Sequence, residues 1–154
     1  MEHPARARDG MRLTDSTRVL IVDDEPLIRW ALAQALVDRG CTVVEAADGR
    51  SARQAIVDSR RAFDVVLLDY RLPDSRDLTL LRAVRRLSPR ARVLMMSAYL
   101  EPLMAQDAHQ DGASSVLAKP LDLDIVCALA LGSSEHVQGS AEPARTTNQS
   151  ATGR

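Results

Sequence analysis

Aromatic side chains are nearly absent, with one Phe, one Trp and two Tyr in 154 residues, 3% of the chain. Cysteine is almost as scarce. Cys41 and Cys127 are too few for a disulfide framework and lack the spacing of a zinc motif. Neither sign of charge is in excess. Twenty Lys+Arg against twenty-one Asp+Glu leave −1 at pH 7, so net charge does not point to nucleic acid or a membrane surface. No apolar run approaches the roughly 18 residues of a membrane span. The N-terminal MEHPARARDGMRLTDST carries arginines with no apolar stretch behind them, unlike a secretory signal. A disulfide scaffold, a membrane protein and an exported protein are all disfavoured, and the expected location is the reducing cytoplasm.

What remains is ordinary globular material, 45% hydrophobic and 27% charged, of a length suited to one domain with a real core. The two ends differ from the middle. Residues 1–16 and 132–154 are polar and poor in large apolar side chains. Burial there cannot offset the entropy of ordering, so a flexible N-terminus and a flexible C-terminal tail or linker are expected. Only about 22 polar residues follow Gly132, so no output domain is expected in this chain.

Between the ends, over 17–131, short apolar runs alternate with helical patterns. The runs are Val19–Val22, Thr42–Glu45, Val65–Leu68, Val93–Met96 and Ser115–Ala118. After the first, apolar residues at Leu27, Ile28, Ala31, Leu32, Ala35 and Leu36 form one helical face, with Pro26 suited to its start and Gly40 to its end. Further helices are expected over Ser51–Asp58, from Leu78 to Leu87, from Pro102 to Gln110, and from a cap at Asp122 to Leu131. Asp48-Gly49 reads as a turn. Five strand–helix pairs predict an α/β domain, a doubly wound five-stranded parallel sheet with helices on both faces. Continuous rather than alternating apolar strands fit a sheet covered on both sides.

Sites in open α/β sheets lie just beyond the carboxyl ends of the strands. Asp23-Asp24-Glu25 follows the first run, Asp69 the third, Ser97-Ala98 the fourth and Lys119-Pro120 the fifth. Singly, each has a plainer reading, because an Asp after a strand commonly turns the chain or caps a helix. Together they bring carboxylates, a hydroxyl and an ammonium to one edge. Clustered carboxylates repel unless a cation sits among them, and an oxygen-only set suits a hard ion such as Mg²⁺. Asp can act as a nucleophile toward phosphorus, and a cation with a lysine can neutralise the transferring phosphoryl oxygens. No Gly-rich phosphate loop follows the first strand, which argues against a nucleotide-binding domain.

These residues resemble the receiver domain of bacterial two-component response regulators. The matching stretches are VLIVDDEP (19–26), VVLLDYRLPDS (65–75), VLMMSA (93–98) and GASSVLAKP (112–120), and the resemblance covers 17–131. DYRLPDS and SAY are most similar to receivers of the nitrogen-regulator class of transcriptional activators. The resemblance implies a flavodoxin-like sheet of order 2-1-3-4-5. It implies that Asp69 accepts a phosphoryl group from a histidine kinase phosphohistidine. It further implies that Asp24, Asp69 and the Arg71 backbone carbonyl bind Mg²⁺, with Asp23 acting through water. Lys119 would pair with the phosphoryl group, Ser97 would turn inward to hydrogen-bond it, and the Lys119–Pro120 bond would be cis. Partners implied are a sensor histidine kinase or phosphotransfer protein and a downstream protein. Residues 101–131 would form the surface that is read, and a homodimer through it is allowed; direct nucleic-acid or membrane binding is not expected.

The chain departs from the family pattern at three places. Val116 stands where a Tyr or Phe usually reports the switch. Arg76-Asp77 replaces the usual Gly after the phosphorylation loop, which puts that loop's geometry in question. Ser97 replaces the commoner Thr. Ala98 leaves room for the incoming group, while Arg71 and Tyr99 flank the path of attacking water and are expected to slow hydrolysis. Arg82, Arg85, Arg86, Arg90 and Arg92 read as a solvated basic helix face, in preference to the alternative that part of the cluster faces a partner or DNA. Trp30 is either a kinase contact or packing. His109 and His136 read as surface residues, and Met95, Met96, Cys41 and Cys127 as packing. Two alternatives to the switch stay open. One is a Mg²⁺-dependent phosphohydrolase working through an aspartyl phosphate, although Arg71 stands where such enzymes carry a second acid. The other is a degenerate receiver used as an interaction module.

Overall fold

A computed structural model describes residues 16–132. Apart from residues 16 and 132, the expected flexible ends lie outside the described residues, as does His136. Five strands, β1 (Arg18–Val22), β2 (Thr42–Ala46), β3 (Val65–Asp69), β4 (Arg92–Ser97) and β5 (Ser115–Ala118), alternate with α1 (Pro26–Val37), α2 (Gly49–Asp58), α3 (Thr79–Leu87), α4 (Pro102–Gln110) and α5 (Leu123–Leu131). The strands form one parallel sheet in the order β2-β1-β3-β4-β5, as expected. No helix among the described residues is long and apolar enough to cross a membrane.

Why the strands read as unbroken apolar runs is plain from burial. Successive strand side chains point to opposite faces, and here both faces are covered. Leu20, Val22, Val66, Leu68, Val93 and Met95 pack with residues of α2, α3 and α4. Val19, Ile21, Val65, Leu67, Leu94 and Met96 pack with α1 and α5, along with Cys41 and Cys127. The edge strands β2 and β5 are only partly buried, and Val116 packs at the margin of the first cluster.

Element ends follow local chemistry. Pro26 opens α1, and Gly40 takes a positive φ of 84° past its end. The Asp122 carboxylate accepts the amides of Asp124 and Ile125 and starts α5. Several expected boundaries shift by one residue, with β1 starting at Arg18, β2 running on to Ala46, α3 starting at Thr79 and β4 at Arg92, and three further corrections have a plain cause. The Asp48-Gly49 pair is not a free turn. Asp48 accepts the Ser51 amide at 2.7 Å while the Ser51 hydroxyl bonds back, a capping box that starts α2 at Gly49. Strands β3 and β4 each run to a polar residue, Asp69 and Ser97. Polarity ends the apolar pattern but not the backbone ladder, in which Asp69 pairs with Met96 and Ser97 with Ala118.

The basic cluster around α3 is also not a uniform solvated face. The Arg92 guanidinium donates to the carbonyls of Leu129 and Ala130 at 2.7 and 2.6 Å, covering the C-terminal end of α5. Arg85 donates to the Ala91 carbonyl and closes the α3–β4 turn. Arg82 pairs with Asp111 at 2.8 Å. Only Arg86 and Arg90 of the five match the expected exposure without such a bond. A cation on the orphan carbonyls of a helix end is favourable, and charge-assisted hydrogen bonds are the stronger kind. Arg92→Met, which keeps the apolar stem, is therefore expected to cost about 1–3 kcal/mol in urea unfolding. Arg86→Met, with no such bond, is expected to be neutral within about 0.5 kcal/mol.

Candidate functional site

The carboxyl edge of the sheet brings the expected residues together. Asp23 follows β1 and donates its amide to the Ala46 carbonyl of β2. Asp69 ends β3. Past β4, the ladder continues from the Lys119 amide to the Ser97 carbonyl at 2.8 Å, which fixes the backbone of Lys119 beside its neighbour strand. The Lys119–Pro120 bond is cis. From this position the Lys119 ammonium donates to Asp23 Oδ2 at 2.8 Å and to Asp69 Oδ2 at 3.0 Å. It is the only lysine in the chain.

Both oxygens of Asp23 are engaged, the second accepting the Glu25 amide at 2.9 Å, and the side chain is fully buried. Asp69 is nearly as buried, and its other oxygen accepts the Arg71 amide at 3.2 Å. Asp24 is exposed. One oxygen from each of Asp23, Asp24 and Asp69 lies within 4.8 Å of the others. Three carboxylates around one ammonium leave the cluster negative, and all the donors are oxygens. That donor set suits a hard divalent cation.

The electrostatics agree. Burial, with the neighbouring charge of Asp23 behind it, pushes the Asp69 carboxyl above its ordinary value, and hydrogen bonds from Lys119 and Arg71 only partly offset this. For Lys119 burial works the other way, lowering it, but hydrogen bonds to Asp23 and Asp69 outweigh burial and leave the ammonium above its ordinary value. The two directions describe one imbalance. A single cation satisfied by two acids stays charged, while two acids sharing one cation remain short of positive charge.

Around this centre the other named residues take definite places. Ser97 is buried, and its hydroxyl donates to the Tyr99 carbonyl at 2.9 Å while accepting the Tyr99 amide. It is thus engaged by its own loop rather than by Asp69. Ala98 and Tyr99 are exposed, as is Pro120. The Arg71 guanidinium carbon lies 5.7 Å from the centroid of the Tyr99 ring, within cation–π range. The loop after Asp69, where Arg76-Asp77 left the geometry open, is closed by a pair of backbone bonds between Leu72 and Ser75. Asp77 then accepts the Thr79 amide at 2.8 Å and turns the chain into α3. His109 is exposed, as expected of a surface residue, with its Nδ1 3.0 Å from the Ala113 carbonyl.

Two contributors escaped the sequence reading. Arg29 donates to the Asp23 carbonyl at 2.6 Å and pairs with Glu45, bracing the first strand end from α1. Asp74 accepts the amides of Gly49 and Arg50 at 2.8 and 3.0 Å, tying the loop after β3 to the start of α2. Neither contact has a local signature, because each joins residues on separate elements. The scarcity of lysine was a signal open to sequence reading.

A carboxyl whose folded value is raised stabilises the fold when protonated and loses that contribution as pH rises through the raised value. With a chelator present, Asp69→Asn is therefore expected to match wild type at acid pH. It should exceed it at pH 7 by on the order of 1 kcal/mol in urea unfolding. Equal stability across that range would show that Asp69 carries no unrelieved charge.

The family model for the response regulator receiver domain matches residues 19–130. DNA-binding transcriptional regulator NtrC of Escherichia coli K12 is 34% identical over 125 residues, 81% of this chain and 26% of that protein. The chain thus spans about a quarter of the length of such curated relatives. A Burkholderia pseudomallei response regulator, solved with a phosphorylated aspartic acid, a calcium ion and citrate, superposes with a TM-score of 0.67 at 30% identity, covering 73% of this chain and 65% of that one. The CheX–CheY complex of Borrelia burgdorferi with BeF3 and Mg²⁺ gives 0.69 at 30% identity, covering 75% and 87%. With the fold, the strand order and the acidic edge in agreement, the chain belongs to the response regulator receiver domain family of two-component systems.

Proposed function

We propose that Asp69 is the phosphoacceptor of a two-component pathway, receiving the phosphoryl group of a phosphohistidine on a sensor histidine kinase or phosphotransfer protein. A carboxylate oxygen of Asp69 forms the new bond to phosphorus as the phosphorus–nitrogen bond breaks. The electron pair of that bond leaves with the imidazole, which is released with its nitrogen available for a proton. Asp24, Asp69 and the Arg71 carbonyl would hold Mg²⁺, with Asp23 acting through water. The ion would supply positive charge to the phosphoryl oxygens. The observation that carries this reading is the meeting of Asp23, Asp24 and Asp69 around the ammonium of Lys119.

Lys119 then has a second task. Its ammonium, now shared by two acids, would turn to the phosphoryl oxygens once Asp69 carries the acyl phosphate. Ser97 would exchange the Tyr99 carbonyl for a phosphoryl oxygen as the acceptor of its hydroxyl proton. That exchange frees the 97–101 loop and alters the surface over 101–131, where Leu103 is exposed. We assign the downstream partner, and any pairing of two copies, to this surface. For the donor we assign the first turns of α1, where Leu27 and Trp30 are exposed and Ile28, Ala31 and Leu32 line an apolar hollow of about 240 Å³ shared with Lys119 and Pro120. This is the behaviour of a cytoplasmic switch rather than a turnover enzyme.

Incubation with acetyl phosphate and Mg²⁺ is expected to add a single phosphoryl group, read by intact mass. Asp69→Asn or a chelator should abolish it. Repeated turnover of small phosphate esters would instead favour a phosphohydrolase, and a wild-type chain that stays unlabelled would favour a degenerate receiver.

Arg71 and Tyr99, stacked beside the site, restrict the approach of water to the phosphoryl group. Opening that pair by Arg71→Asn or Tyr99→Ala is expected to speed dephosphorylation roughly two- to fivefold, the rate equivalent of about 0.5–1 kcal/mol. Unchanged decay in both variants would remove shielding from the account.

A further inference from the structure

The charge of the chain is nearly balanced, but it is not evenly spread. Ten of nineteen arginines fall within residues 49–61 and 76–92, against two acids, Asp58 and Asp77. Some of them are engaged in the fold. Arg92 covers the end of α5, Arg85 closes a turn, and Arg61 pairs with Asp64. Arg50 and Arg53 on α2 and Arg86 on α3 are exposed and make no such contact. Arg82 holds Asp111 with more than half of its side chain still in solvent.

These four arginines border two adjoining hollows along the α2–α3 face. One, of about 430 Å³, is lined by Arg53, Thr79, Arg82, Ala83, Arg86 and Leu87. The other, of about 340 Å³, includes Arg50, Arg53, Val57 and also Asp74, whose carboxylate accepts the amides of Gly49 and Arg50. Arg53 borders both. Two apolar side chains lie exposed within this basic rim, Val57 at 66% and Leu87 at 45%. Asp58 is occupied by the Gln54 amide on the same helix. With Asp58 and Asp74 hydrogen-bonded within the fold and Asp111 paired to Arg82, the face offers more guanidinium groups than free carboxylates around a small apolar floor.

We propose that the α2–α3 face docks an acidic amphipathic helix of a partner protein, with its carboxylates on Arg50, Arg53, Arg82 and Arg86 and its apolar stripe on Val57 and Leu87. An apolar centre with an arginine rim is the anatomy of a protein–protein contact. Guanidinium groups suit planar, bidentate recognition of carboxylates. A nucleic acid fits less well. Stacking on exposed aromatic rings is a usual part of single-strand recognition, but neither segment contains an aromatic residue, and Phe63, just past the first, is buried. A membrane surface fits less well too, because two separated apolar side chains fall far short of the apolar face of an interfacial helix. The docking site uses none of the residues at the phosphorylation edge, so it stands or falls apart from the function proposed there.

The probe is a fluorescein-labelled synthetic helix with Leu at i, i+3, i+4 and i+7 spacing and Glu on the remaining face, followed by fluorescence anisotropy. Short random-sequence duplex DNA and phosphatidylglycerol vesicles serve as competitors. The peptide is expected to bind saturably and more weakly as salt rises. Arg53→Ala with Arg86→Ala should weaken it at least about tenfold, with amide shift changes confined to residues 49–58 and 79–87. Val57→Ser should weaken it about threefold without changing the salt slope. A far-UV circular dichroism spectrum and urea midpoint equal to wild type report that the fold of each variant is intact. Absence of saturable binding, binding unchanged in the arginine pair or in Val57→Ser, or tighter binding of DNA or vesicles would each overturn the proposal.

Discussion

One ammonium joins two ends of the chain. Lys119 spans 96 positions of sequence to Asp23 and 50 to Asp69, meeting the two carboxylates at 2.8 and 3.0 Å. Much of the surrounding architecture bears on that meeting. Putting β1 and β3 side by side at the middle of the sheet aligns the two acids, with Val22 opposite Leu68. The bond from the Lys119 amide to the Ser97 carbonyl carries the lysine into the same layer. Removing one acid would ease the repulsion, but removing the lysine would leave Asp23, fully buried, with an uncompensated charge.

The sheet could be read from sequence because both of its faces are covered. Val19–Val22 and Val65–Leu68 contain no polar residue at all, and only a strand sandwiched between helix layers places every side chain in apolar surroundings. Strand order was a different matter. Periodicity carries no information on which strand lies beside which, and the order 2-1-3-4-5 came from family resemblance. The site acids were legible for a related reason. A charged residue directly behind a buried run has nowhere to go but the sheet edge, which is how Asp23, Asp69 and Lys119 stood out. Ser97 stood out in the same way as a polar stop.

What stayed hidden depends on side chains that reach across elements. Arg92 looked like one of five surface arginines, yet its guanidinium ends on the carbonyls of α5, 37 and 38 residues away. Asp74 drew no separate reading within its loop, yet it holds the amides that open α2. A long flexible side chain can serve either a solvated face or a distant helix end, and its sequence neighbours are identical in both cases. The error at Asp48-Gly49 has another origin. Asp before Gly is a turn signal, but the same Asp three residues before a serine is also a helix start, and the capping bonds decided between them.

The replacement of the usual ring by Val116 bears on how a switch could work here. Val116 packs at the edge of the apolar cluster and has no polar tip or bulky plane to exchange between two positions. A phosphoryl-driven change would therefore have to begin with Ser97, whose hydroxyl is bound within its own loop, and with Lys119. Each would form a charge-assisted hydrogen bond to the phosphoryl group, about 1.5–3 kcal/mol apiece. Each would also give up a bond it makes now. A near-complete shift from 1:99 to 99:1 requires about 5.5 kcal/mol of differential interaction. Two exchanged bonds fall short of that difference unless the ion at Asp24 and Asp69 contributes, or unless the resting population already leans toward the second state. Without a ring that must be buried, the second state loses one source of stabilisation but also one steric barrier. A graded response, in which partner binding completes the shift that phosphorylation starts, follows from that balance.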